Sequence, residues 1–426
     1  MIQEVEVRGY KALRYARVRL SDFHVLVGPN ASGKSTFFDV LLLVRDILLS
    51  GVDKAIFGDA RFDIPVRAAD PLELSWLRQG GPVEIAITAN IPEEVGNRLS
   101  GAPYRHARYE LAINLEHLSI SQEALWLIPE DALPAVPLPT ERQLSFFPSE
   151  EPFPASNIIT RQKPKGWRSV VKKTGEEGND YFQSETTGWN NIFRFGSQWP
   201  ALRHLPEDEG KFPISIWFKR LLNEGVQRIA LNAEAMRASS PAGSSTVYLP
   251  DGSNLPWVVQ DLEDNAPDHL EDWITHVRTV LGSVRRIETV EKPEDRSRYL
   301  RVTYDNDLVA PSWLLSDGTL RFLALTLLAY TRKRPSLILI EEPENGIHPK
   351  GIEGIIQSLS SVYGSQVFCA THSPVVLSLV QPKDILCFGR TREGAVDIRS
   401  GDHHPRLRNW QSSANLGDLF AAGVLG

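Results

Sequence analysis

The segment Gly28-Pro-Asn-Ala-Ser-Gly33-Lys34-Ser35 constrains the fold more than any other stretch of these 426 residues. An alternating run (Phe23, Val25, Val27) leads into it. Thr36 to Leu49 leaves it with apolar residues at helical spacing, among them Phe37, Val40, Leu41, Val44 and Leu48. A strand, a glycine-rich turn and a buried helix, in that order, place backbone N–H groups at a helix N-terminus, where they wrap an anion. Gly28 and Gly33 allow turns that a Cβ would obstruct. Lys34 is placed to reach the β- and γ-phosphates of a nucleotide, and the Ser35 hydroxyl to coordinate Mg²⁺. Asn30, Ser32 and Thr36 complete the binding segment.

Three later segments add to it. Leu337 to Ile340 reads as a buried strand with Glu341 and Glu342 at its mouth. Two carboxylates there are costly unless a cation or a water network uses them. Glu341 is assigned to Mg²⁺, directly or through water, and Glu342 to orienting or deprotonating an attacking water. Ser316-Asp-Gly318-Thr precedes an apolar helix beginning near Leu320 and describes a second anion site at a helix N-terminus. One nucleotide does not need two such sites in one chain. His372 stands in Ala370-Thr-His-Ser-Pro374, just after an apolar strand.

As a set, these segments resemble the ABC-type ATPases of the RecF/SMC-like branch, over about residues 1–50 and 312–426. In that superfamily the signature serine of one subunit contacts the γ-phosphate held by the other. The resemblance therefore gives Ser316 and Gly318 a role across a dimer, His372 that of the switch histidine, and Glu344-Asn345-Gly346 that of the D-loop. Gly9-Tyr10-Lys11-Ala12-Leu13, Ser-Asp-Gly-Thr, Glu-Glu-Pro-Glu-Asn and Thr-His-Ser-Pro look more narrowly like the bacterial OLD-like ATPases, a group that includes subunits of anti-phage systems. There are departures from the pattern. Glu341 stands where Asp is commoner, the signature reads Leu-Ser-Asp-Gly-Thr, and the glutamine loop has no clear match. Gln79, in Trp76-Leu-Arg-Gln-Gly-Gly, is the candidate for that loop's metal-facing glutamine, with a plain turn residue as the alternative.

The expected fold is α/β: a P-loop NTPase of ABC/RecF type, with a mixed sheet and flanking helices, an antiparallel β lobe and an inserted α/β region. Residues 1–130 are read as the N-terminal part of the head with the β lobe, 131–310 as an inserted lobe, and 311–426 as the C-terminal part of the head. Short alternating runs between Pro82 and Ile120 suggest antiparallel strands, Phe212 to Arg228 and Leu262 to Leu281 look helical, and Val284 to Tyr304 looks extended. Prolines crowd Pro129 to Pro154, and the polar run to about Gly210 reads as exposed loops. Residues 37–312 hold no sustained heptad register, which excludes a long coiled coil. The tail after His372 is shorter than the ~100 residues of a separate nuclease domain.

The net charge of −7 confines any DNA contact to a local patch. Arg161 to Lys173, basic around Trp167, offers either such a patch or a solvated loop. Asp402-His-His404 is a weak metal hint, and Leu416 to Phe420 either packs on the sheet or docks a partner. Cys369 and Cys387 lie in apolar runs and read as core residues of a reducing cytosol. No apolar run of 18 residues is present and the N-terminus lacks a signal-peptide layout, so a cytoplasmic protein without a membrane span is expected. The function expected is ATP·Mg²⁺ binding and hydrolysis in a homodimer or higher homo-oligomer. Its cycle would drive or gate DNA processing or a separately encoded effector, in anti-phage defence or DNA repair. The alternative is a low-turnover, nucleotide-gated scaffold that holds a toxin or nuclease subunit. A transporter ATPase fits the insertion and the altered signature less well.

Overall fold

The computed structural model describes residues 1–99, 104–132, 147–149, 157–174, 180–407, 415–423 and 425. The chain opens with β1 (Ile2–Tyr10), β2 (Leu13–Arg19) and β3 (Phe23–Val27), which runs into the glycine-rich turn and α1 (Lys34–Phe57). Next come β4 (Pro82–Asn90), β5 (Tyr104–Asn114), β6 (Ser119–Pro129), β7 (Arg168–Lys173), β8 (Asp180–Gln183) and β9 (Asn190–Phe193). α2 (Pro213–Asn223), β10 (Val226–Ile229), the short α3 (Ala233–Arg237), α4 (Leu255–Asn265) and α5 (Pro267–Val280) lead to β11 (Val284–Glu291), β12 (Arg298–Tyr304) and β13 (Val309–Pro311). The C-terminal third holds α6 (Asp317–Leu327), β14 (Leu337–Glu341), α7 (Pro349–Ser360), β15 (Gln366–Thr371), α8 (Pro374–Leu377), β16 (Ile385–Arg390), β17 (Val396–Ser400) and α9 (Leu416–Ala421).

Among the described residues these strands make three sheets. One has the order β10-β14-β15-β3-β16-β17, parallel except where β17 turns back on β16. A second, antiparallel throughout, runs β2-β1-β4-β5-β6-β7-β8-β9. The third is the meander β11-β12-β13.

The mostly parallel sheet is covered on both faces, and its side chains show it. Leu337 and Leu339 of β14 pack into a core with α1, α2 and the antiparallel sheet. Ile338 and Ile340, pointing the other way, join a core built with α4, α5, α6 and α7. Strands buried on both faces carry continuous apolar runs, which is why β14 and β15 were plain in the sequence. Both cysteines are free and buried in this sheet.

The structure departs from expectation in four places. α1 continues past Leu49 to Phe57, with a break at Gly51, whose φ of 83° is not helical. The region read as one helix from Leu262 to Leu281 breaks at Ala266, whose φ of −154° is extended because Pro267 follows. β10, a parallel edge strand of four residues, was absorbed into a helical reading of Phe212 to Arg228. Finally, the polar run before Gly210 is not only loop, since β7, β8 and β9 extend the antiparallel sheet through it. Their buried apolar residues are only Val170 and Val171 of β7 and Phe182 of β8, with none in β9, too few for alternation to stand out. Most of the proline-dense stretch from Pro129 to Pro154 lies outside the described residues.

Candidate nucleotide site

The glycine-rich turn links β3, in the middle of the parallel sheet, to α1. Its glycines are required by neighbours as well as by dihedral angles. A Cβ on Gly28 would sit 2.2 Å from the Phe388 carbonyl oxygen of β16, and one on Gly33 would sit 2.6 Å from a Val396 methyl of β17. The Lys34 ammonium donates to the Gly28 and Pro29 carbonyl oxygens at 2.8 and 3.0 Å, so it lies along the concave side of the turn. Burial lowers its pKa to about 8, against the opposing pull of Glu342 and Glu341.

Parallel pairing of β14, β15 and β3 brings the other predicted groups to the same edge. The Ser35 hydroxyl donates to Glu341 Oε2 at 3.0 Å, and Arg228 of β10 holds Glu341 Oε1 at 3.2 Å. Glu342 has φ of 48°, a strained left-handed value for a non-glycine residue, fixed by its N–H donating to the Ala370 carbonyl at 2.7 Å. His372 follows β15 and is half-buried. Burial, then the Lys34 charge, pulls its ring below the ordinary imidazole pKa, while Glu342 pulls it up. Asn30, Ser32, Gly33, Lys34, Ser35, Thr36, Glu341, Glu342 and His372 all line one cleft of about 680 Å³.

Ser316 and Gly318 lie elsewhere. Ser316 is exposed and caps α6, its hydroxyl accepting from the Thr319 N–H at 3.1 Å. Neither residue is part of the cleft lining. A Cβ on Gly318 would come within 2.7 Å of the Gly346 carbonyl oxygen, so α6 rests directly on the turn after Glu342. Arg237 of α3 braces the same loop, pairing with Asp317 and donating to the Leu315 carbonyl oxygen. Gln79 is exposed beside Arg78 and is not among the residues lining the cleft.

Other candidates resolve differently. Trp167 is buried, stands edge-on to Trp126 at 5.9 Å, and donates to the Ala132 carbonyl oxygen, so it offers no face to a base. Lys173 is buried against Asp180. The basic stretch is thus partly a sheet strand, β7, whose adjacent Val170 and Val171 are both buried. His404 is buried beside Phe147. No group of three or more His, Cys, Asp or Glu among the described residues is arranged to hold a metal ion. Leu416 packs into the core beside α8. No helix among the described residues is long and apolar enough to cross a membrane.

Sequence reasoning missed several groups that line or frame the cleft. Lys11, Trp76, Leu77, Arg78 and Arg390 line it, and Arg228 clamps Glu341. Lys11 lies in the Gly9 to Leu13 motif, and Trp76, Leu77 and Arg78 in the segment that supplied Gln79, whose neighbours rather than Gln79 itself face the cleft. Arg228 and Arg390 carry no local pattern.

Comparison with known proteins agrees with this architecture. A family profile described as an AAA domain, putative AbiEii toxin of a type IV toxin–antitoxin system, matches residues 167–378. A profile for an AAA ATPase domain matches residues 1–63. No curated protein matches the sequence. Among solved structures, an Smc head bound to the C-terminal winged-helix domain of ScpA is similar at 13% identity and a TM-score of 0.51, over 93% of this chain and 97% of that one. An Smc head with coiled coil and joint from Pyrococcus yayanosii aligns over 99% of both chains at 12% identity and a TM-score of 0.47. At such identity the likeness concerns the fold. The fold is that of a P-loop ATPase head of the ABC type, and the chain is similar to AAA and SMC-like ATPases.

Proposed function

We propose that this chain is an ATP-hydrolysing head that closes as a nucleotide-sandwich dimer, and that its cycle drives or gates DNA processing or a separately encoded effector, in anti-phage defence or DNA repair. One observation carries the reading. Lys34, Ser35, Glu341, Glu342 and His372 share a single cleft, whereas Ser316 caps an exposed helix outside its lining. A second copy is what brings a Ser316 to that cleft.

The residues fit ATP and Mg²⁺. The glycine turn and Lys34 suit a triphosphate, and the Ser35 hydroxyl with the Glu341 carboxylate is a donor set of oxygens only, as Mg²⁺ prefers. Bound there, Mg²⁺ would neutralise charge on the β- and γ-phosphates. The chain's own groups do the remaining work. Lys34 holds the phosphates, and Arg228 leaves one Glu341 oxygen free to face Ser35. Glu342 orients a water and takes its proton, and His372 fixes the outer end of the γ-phosphate. Ser316 of the other copy completes the donor set around the charge that develops in the transition state.

A second reading has support of its own. The profile matching residues 167–378 is described by a putative toxin of a toxin–antitoxin system, and the similar Smc head was solved with a domain of a partner bound. Both are in keeping with a head that works with another protein, and the scaffold reading adds that it turns over ATP slowly. Steady-state hydrolysis tests the first reading. Glu342→Gln is expected to keep ATP affinity and lose roughly 10²- to 10⁴-fold in turnover, while Lys34→Ala loses binding itself. Wild-type turnover no faster than that of Glu342→Gln would favour the scaffold.

A further inference from the structure

Glu344 lies two residues beyond Glu342, and its side chain turns inward rather than into the cleft. Thr371, the fully buried last residue of β15, donates its hydroxyl to Glu344 Oε1. The same hydroxyl oxygen accepts the Ser373 N–H at 2.9 Å, so Thr371 is both donor and acceptor in one short chain. His372 is the residue spanned by that chain. Its backbone is fixed on one side by Thr371 in the sheet and on the other by Ser373, which caps α8. The other Glu344 oxygen, Oε2, is buried and has no hydrogen-bond partner among the described residues.

A carboxylate placed there is costly. Glu344 as a whole is half-buried, and an apolar residue at this point would avoid the cost of its buried Oε2. The backbone around Glu344 is also tied to the acidic turn, since Asn345 N–H donates to the Glu342 carbonyl oxygen at 2.9 Å and Ile347 N–H to that of Glu344 at 3.0 Å. Glu344 therefore joins the turn that carries Glu342 to the turn that carries His372.

We infer that Glu344, acting through Thr371, is a positioning residue that holds His372 in register with Glu342. It lies outside the cleft lining. Without the clamp, the turn after β15 keeps its strand but loses the link that sets the His372 ring against the cleft. For its catalytic readout the inference rests on the ATPase reading above, and for its geometric readout it does not.

The test uses the whole chain carrying Thr371→Val, Thr371→Ser, Glu344→Ala or His372→Ala, with ATP affinity confirming that each variant is folded. Two-dimensional NMR of the histidine rings is expected to show the His372 signals moved in Thr371→Val and Glu344→Ala, close to wild type in Thr371→Ser, and the His24 signals unchanged throughout. Turnover is expected to fall roughly 10- to 100-fold in the first two variants, with ATP affinity within about twofold of wild type. In a His372→Ala background neither change should lower turnover further, because both act through that ring. Unmoved His372 signals in Thr371→Val overturn the inference, as do losses that multiply with His372→Ala. A wild-type protein that hydrolyses nothing removes the ATPase reading instead, and the ring signals then still decide the clamp.

Discussion

Lys34 sits in a conflict that its sequence position does not reveal. The turn it belongs to lowers its pKa to about 8 by burial, yet the proposed function has a triphosphate held by its positive charge. Below pH 8 the ammonium is already formed and nucleotide enters without proton uptake. Above pH 8 binding must first return a proton to the amine, because the bound phosphates raise the pKa again. ATP affinity measured by fluorescence or calorimetry is therefore expected to be flat from pH 6.5 to 7.5 and to weaken above pH 8, approaching tenfold per unit. Lys34→Arg, which stays charged over this range, should bind more weakly overall but show no such slope. Affinity of the wild type independent of pH up to 9.5 would mean that Lys34 does not carry the phosphate charge. Arg228 is the matching residue on the acidic side. With one oxygen of Glu341 held by its guanidinium, the extra methylene relative to Asp does not set the carboxylate loose.

At the scale of elements, β3 is the piece on which the site depends, since it lies between β15 and β16 and feeds the phosphate-binding turn. Its entry is fixed by His24, whose Nε2 accepts the Ser21 N–H at 2.9 Å, something only the neutral ring can do at that nitrogen. Burial lowers the His24 pKa to about 4. The unfolded chain takes up this proton near pH 6.5 and the folded chain only near 4, so between these values the unfolded state binds more protons. Stability from this group is complete above pH 6.5 and is lost as pH falls through the window, by up to about 3 kcal/mol. Denaturant midpoints from pH 7 to 4.5 should therefore fall less steeply in His24→Gln, whose amide oxygen can accept the same N–H without titrating; equal slopes would refute the assignment. The uneven legibility of the elements has the same physical origin. β3, β14 and β15 are buried on both faces and announce themselves as apolar runs, and each ends in the polar residues of the site. β7 to β9 lie toward one end of the antiparallel sheet and bury so little that their sequence reads as loop. That Lys34, Ser35, Glu341, Glu342 and His372 would meet in one cleft was legible because each stands in a short motif at the end of β3, β14 or β15. The cleft's rim at Arg390 was not, because a rim requires only reach.

For the molecule as a whole, the proposed function requires that one chain carry two halves of different sites. The cleft is lined by Lys34, Ser35, Glu341, Glu342 and His372, whereas Ser316 lies at the exposed start of α6, outside that lining. Inside the chain, α6 rests on the turn after Glu342 through Gly318 and Gly346, and the Arg321 guanidinium lies near the Asn345 carbonyl oxygen at 3.4 Å. Movement of α6 against a partner's nucleotide would therefore press on the turn that follows this chain's own Glu342. Such a device is useful only if two copies close together, and hydrolysis normally hides that state by ending it. Glu342→Gln should preserve it. The 47.7 kDa chain carrying this change is expected to double in mass with ATP·Mg²⁺ and to stay monomeric with ADP. Adding Ser316→Arg, which puts a bulky side chain at the contact while leaving the cleft intact, should return it to a monomer that still binds ATP. Double-stranded DNA then separates the two readings of what the dimer serves. If DNA stabilises the trapped dimer and accelerates wild-type hydrolysis, the closing heads act on DNA. If the dimer forms and DNA changes neither quantity, the heads gate another protein. If saturating ATP leaves Glu342→Gln monomeric, the sandwich is wrong and Ser316 is only a helix cap.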